Sequence, residues 1–99
     1  MFIINFDAHM RGTQFKFENG YTVSVQWGPA NYCRNYNPSA FPLKDTNYRR
    51  GRDAEIAVFN PNDDFVSPEL YGFPNEVDDV VAYVTPDEVV DVMALVKSW

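Results

Sequence analysis

Cysteine and histidine are nearly absent from this 99-residue chain: Cys33 is the single cysteine and His9 the single histidine. One cysteine excludes an internal disulfide framework and a cysteine-rich zinc site. One histidine would leave carboxylates to complete a catalytic zinc site, which needs three protein ligands. No apolar run approaches the roughly 18 residues that span a bilayer. The opening MFIINF lacks the length and basic flank of a signal peptide. These absences lead us to expect a protein of the reducing cytoplasm with no membrane partner. No phosphate-binding Walker loop, dinucleotide fingerprint, serine elbow or HExxH motif occurs, so nothing argues for an enzyme or a bound cofactor.

Basic residues are scarce in the second half. Residues 1–52 hold seven Lys/Arg against three Asp/Glu, a net +4, whereas residues 53–99 hold one Lys against eleven Asp/Glu, a net −10. The overall charge of −6 argues against non-specific nucleic-acid binding by the whole surface. A chain polarised in this way can neutralise itself in the fold or in a dimer, offer an acidic face to a basic partner, or simply carry a solvated acidic surface.

What is abundant is aromatic and β-branched sequence, and Phe15–Trp27, FKFENGYTVSVQW, organises it. Phe15 and Phe17 alternate with Lys16 and Glu18, and Tyr21, Val23, Val25 and Trp27 alternate with Thr22, Ser24 and Gln26. This period of two marks a pair of half-buried strands. A two-residue Asn19-Gly20 turn would set Phe15 opposite Ser24 and split the apolar residues between faces. A three-residue loop, Glu18-Asn19-Gly20, sets Phe17 opposite Tyr21 and Phe15 opposite Val23. All the large apolar side chains then share one face. We therefore expect a type I turn with Gly20 left-handed in a G1 bulge.

Around this hairpin the chain reads in order. Phe2–Phe6 is a first strand, and Gly28-Pro29 stops the ladder after Trp27. Residues 28–52 carry Pro29, Pro38 and Pro42 with four asparagines, yet also Tyr32, Tyr36, Phe41, Leu43 and Tyr48. We expect a packed loop over one end or face of the sheet. Asp53–Phe59 is a strand, Asn60–Asp64 a turn, and Phe65-Val66 a short pairing segment. Residues 67–76 read as loop and Val77–Val84 as a strand. Thr85-Pro86-Asp87-Glu88 is a capping box, with Thr85 as N-cap, Pro86 at N1 and Glu88 at N3. Val89, Val92, Met93 and Val96 follow as one apolar stripe. The expected fold is α+β, one domain over 1–99, with a mainly antiparallel sheet of four to five strands and a C-terminal helix packed on it.

Candidate binding residues gather in and beside the long loop. Trp27, Tyr32, Tyr36 and Tyr48 are of the types favoured at binding hot spots, although core packing explains Trp27 as well. Arg49, Arg50 and Arg52, beside Tyr48, could bind phosphate or stack on a base. The acidic residues that follow favour internal ion pairing for them instead. Cys33 with His9 is the single possible cysteine–imidazole pair, and nothing in their spacing brings them together. A small part-buried thiol and a surface histidine are the expected outcome. Asp7 with His9, and the pairs Asp63-Asp64 and Asp78-Asp79, match no ordered metal-loop pattern, so no metal is expected.

The stretch Asn19–Gly28, followed by Asn31-Tyr32-Cys33, resembles small uncharacterised proteins encoded by tailed bacteriophages. Asp53–Asn60 and the Val84-Thr85-Pro86 lead into the terminal helix add to the resemblance. It implies a phage accessory protein of the bacterial cytoplasm that binds a host or phage protein, and it transfers no functional residue. The function expected is thus a non-enzymatic protein-interaction module, with a homodimer possible through an exposed edge strand. The alternative is a nucleic-acid role, by phosphate contact at Arg49, Arg50 and Arg52 or by DNA mimicry of the acidic half.

Overall fold

The computed structural model describes residues 1–6, 11–28, 31, 33–34, 37, 51–74 and 78–99. Among these residues, five strands form one antiparallel sheet: β1 (Phe2–Phe6), β2 (Arg11–Lys16), β3 (Thr22–Gln26), β4 (Ala54–Phe59) and β5 (Val80–Val84), in the spatial order β1-β2-β3-β4-β5. The helix α1 (Pro86–Lys97) follows. The architecture is the expected α+β, at the upper end of the expected strand count.

The register of the central hairpin is the one its alternation demands. Phe15 pairs with Val23, and the Phe17 N–H donates to the Tyr21 carbonyl at 2.9 Å. Gly20 N–H donates to the Phe17 carbonyl at 3.0 Å, and Gly20 has φ 89°. A three-residue loop with a left-handed glycine was required to keep the apolar residues on one face, and this is that loop. The second tight turn repeats the chemistry. Asp63 N–H donates to the Asn60 carbonyl at 2.9 Å, and Asn60 N–H donates to that of Asp64 at 2.8 Å. The left-handed position is held by Asp63, at φ 62°. Asn60 Oδ1 accepts from Asn62 N–H and Asp64 N–H, which holds the turn from inside. Phe65 then bridges back to Phe59, so the short pairing segment exists.

Residue pairing assigns the two faces. On the first face Val23 stands opposite Val58 and Val25 opposite Ile56. β5 continues this face through an irregularity: Ile56 pairs with Val81 but Ala54 pairs with Val84, so three β5 residues span two of β4. The extra residue coincides with Tyr83, left-handed at φ 56° and exposed. One inserted residue reverses the alternation. Val81 and Val84 therefore both contribute to the core, although an unbulged strand would turn one of them away.

Helix α1 begins as its sequence signals. Glu88 N–H donates to Thr85 Oγ1 at 3.3 Å, and Thr85 N–H donates to Glu88 Oε1 at 3.0 Å. Val89, Val92 and Val96 are buried and Met93 packs beside them. Each buried valine contributes about 1.5 kcal/mol or more of apolar stabilisation. The segment expected as loop after Ser67 contains one turn of 3₁₀ helix, Pro68–Tyr71, closed by left-handed Gly72. Tyr71 and Val66 join the same core.

The opposite face of β3 is buried as well: Thr22, Ser24 and Gln26 are all under 8% exposed. Gln26 Nε2 donates to Ser24 Oγ at 3.3 Å, which lines the polar residues of that face along the strand. Gly12, paired with Gln26, is a required glycine. A Cβ there would run into the Val25 carbonyl oxygen and the Gln26 carboxamide.

Candidate functional site

A single helix is about 10 Å wide, whereas five strands at about 4.8 Å spacing extend about 19 Å across. Helix α1 covers the β3–β5 part of the first face, and its core valines pack there. On β1 the residues of that face are exposed. Phe2 and Ile4, which pair with Phe15 and Thr13, are 72% and 66% exposed. The edge of helix coverage forms an apolar groove of about 390 Å³. Phe15, Val25 and Trp27 line its sheet side, and Val89, Val90 and Met93 its helix side. The volume falls within the range of ligand-sized clefts.

The walls differ in how they are held. Phe15 packs edge to face against Phe2, with ring centroids 5.2 Å apart. Val90 lies on the solvent side of the helix stripe and is 63% exposed, though valine gains nothing from water. Asp87 precedes it by one helical turn, so a negative charge borders the apolar wall. Asp53, also at the groove, is buried and accepts from Arg34 N–H at 2.7 Å and Arg34 Nε at 3.2 Å.

Among the described residues, Trp27 is the one expected binding residue in this groove, half-buried and packed against the core. Its packing against the core is the alternative that the sequence allowed for it. Arg52 is exposed. Tyr32, Tyr36, Tyr48, Arg49 and Arg50 lie outside the described residues, as do Asp7 and His9. Cys33 is buried at 1% exposure, and its thiol donates to the Gly28 carbonyl at 3.6 Å. The described start of the long loop is tied back to β4. Gly28 N–H donates to Asn31 Oδ1 at 3.1 Å, and Asn31 Nδ2 donates to Glu55 Oε1 at 3.4 Å. Among the described residues no group of three or more His, Cys, Asp or Glu is placed to hold a metal ion. Among them, too, no helix is long and apolar enough to cross a membrane.

Phe15, Val25, Val90 and Met93 were not expected to line a site. Phe15, Val25 and Met93 belong to strand and helix patterns that read as core, which is what most such residues become. Val90 carried the usable signal: it is a bulky apolar residue outside the 89–92–93–96 stripe. No family model matches this chain, and comparison with curated proteins and with solved structures gave no match.

Proposed function

We propose that this chain is a small non-enzymatic protein-interaction module, working in the setting that the phage resemblance implies, as an accessory protein of the bacterial cytoplasm. The observation that supports it is the apolar groove continued by exposed Phe2 and Ile4. Contiguous apolar surface is costly to leave in water and marks interaction sites. The occupant is a partner segment with an apolar anchor and a basic residue beside it. The anchor fills the groove between Trp27 and Val90, and the basic residue meets Asp87.

Selection from a displayed random peptide library tests this reading. Peptides with an aromatic or aliphatic anchor beside a lysine or arginine should be enriched. Their affinity should fall at least about tenfold with Val90→Glu, which puts a charge on the groove wall. Failure to enrich any peptide, or equal binding by the Val90→Glu protein, would overturn it.

Charge segregation favours a second reading. β4, β5 and α1 all derive from the half of the chain with net charge −10, so acidic sequence gathers at one side of the sheet. Mimicry of nucleic acid would use that side against a DNA-binding protein. Contact with nucleic acid itself would instead use Arg49, Arg50 and Arg52. Oligonucleotide binding that weakens steeply with salt distinguishes direct contact from mimicry, which gives none.

A further inference from the structure

We propose that β1 is a homodimerisation strand, pairing antiparallel with β1 of a second copy about a two-fold axis at Ile4. The inference concerns the sheet edge and does not depend on what fills the groove. Lys16 N–H donates to the Met1 carbonyl at 2.9 Å. Antiparallel pairing alternates from there. Met1, Ile3 and Asn5 direct their backbone groups to β2, whereas Phe2, Ile4 and Phe6 direct theirs to the outer edge. Among the described residues no strand receives them.

The two edges of the sheet are unlike. Natural proteins blunt exposed edges with charges, proline or bulges. β5 has its irregular register at left-handed Tyr83 and follows Asp78 and Asp79. β1, FIINF, has no charge, no proline and no register shift against β2. An edge open on one side alone yields a closed pair rather than a filament.

The strand is also complementary to itself. With Ile4 opposite Ile4 of the other copy, Phe2 meets Phe6 and Ile3 meets Asn5. No like charges oppose one another, and the central Ile4 pair is apolar. The acidic elements stay apart as well. β4 of one copy lies seven strand spacings from β4 of the other, about 34 Å at about 4.8 Å per strand. This is several times the Debye length of about 8 Å at physiological ionic strength. Pairing sets both grooves on the same side of a ten-stranded sheet, flanking a strip of Phe2 and Ile4 from each copy.

Sedimentation equilibrium of the full chain tests the pairing. The expected result is a reversible species of twice the 11.4 kDa chain mass at micromolar concentration. Ile4→Lys should raise its dissociation constant at least about tenfold, while Val90→Glu leaves it unchanged. Amide hydrogen exchange in the wild-type protein gives a second readout that does not require a variant to fold. Phe2 and Ile4 amides should become protected as concentration rises, whereas Ile3 and Asn5 amides are protected throughout. A monomer at all concentrations, a dimer insensitive to Ile4→Lys, or free exchange at Phe2 and Ile4 would overturn the proposal.

Discussion

Asn19 donates from Nδ2 to the carbonyl oxygen of Val96 at 2.9 Å, linking the tip of the central hairpin to the last turn of the helix. The same amide nitrogen lies 3.2 Å from the Trp99 carbonyl, and Oδ1 accepts from Tyr21 N–H at 3.0 Å. Carbonyls at a helix C-terminus have no partner within the helix. Here a turn residue 77 positions away supplies one. Tyr21 and Trp99 close the junction edge to face, with centroids 5.1 Å apart.

Asn19→Asp separates the two roles of this side chain. An aspartate still accepts from Tyr21 N–H, so the turn survives. It has no donor for the Val96 carbonyl, and its charge sits at the negative end of the helix dipole. We expect a loss of about 1 kcal/mol in urea unfolding. An unchanged midpoint would mean that the link to α1 contributes nothing.

Gly12→Ala should be costlier. The added methyl meets the backbone carbonyl oxygen of Val25 and the buried Gln26 carboxamide, so backbone must shift to admit it. A destabilisation on the order of 2 kcal/mol is expected, as for an overpacked core position. Gln26→Ala on that background should restore little, because the backbone contact persists. Full recovery would place the clash on the side chain alone.

The helix cap carries a pH signature. Hydrogen bonds from the Thr85 N–H and then the Thr85 hydroxyl hold the Glu88 carboxyl below its usual value. A depressed folded value means that this stabilisation is present above the ordinary carboxylate range and is lost as pH falls through the lowered one. Thr85→Ala should cost about 1 kcal/mol at neutral pH. Glu88→Gln should remove the acid-dependent part, read as a smaller difference from wild type in acid than at neutrality.

Tyr71 behaves in the opposite sense at high pH. Burial, with Asp79 nearby, pushes its phenol up to about 12. The neutral form is the one the fold accommodates. Its contribution is complete below the ordinary value of 10.0 and is lost as pH rises toward 12. Chemical unfolding across that window should show a loss that Tyr71→Phe reduces. Equal alkaline losses in both proteins would show that Tyr71 titrates as it does in the unfolded chain.

The sequence by itself determined the local elements, because each depended on residues close together in the chain. Alternation in Phe15–Trp27 left one loop length that keeps Phe15, Phe17, Tyr21 and Val23 on one face, and Gly20 was there to adopt it. Thr85, Pro86 and Glu88 set the helix start through bonds spanning three residues. Tertiary structure decided the rest. The order of the strands made β1 and β5 the edges. The Tyr83 irregularity decided that Val81 and Val84 would share a face, which alternation alone denies. The groove exists because one helix is narrower than five strands, a comparison of assembled widths that no local pattern expresses. Asn19 reads as a turn residue at short range, and only the docking of α1 supplied the carbonyls that make it a helix cap.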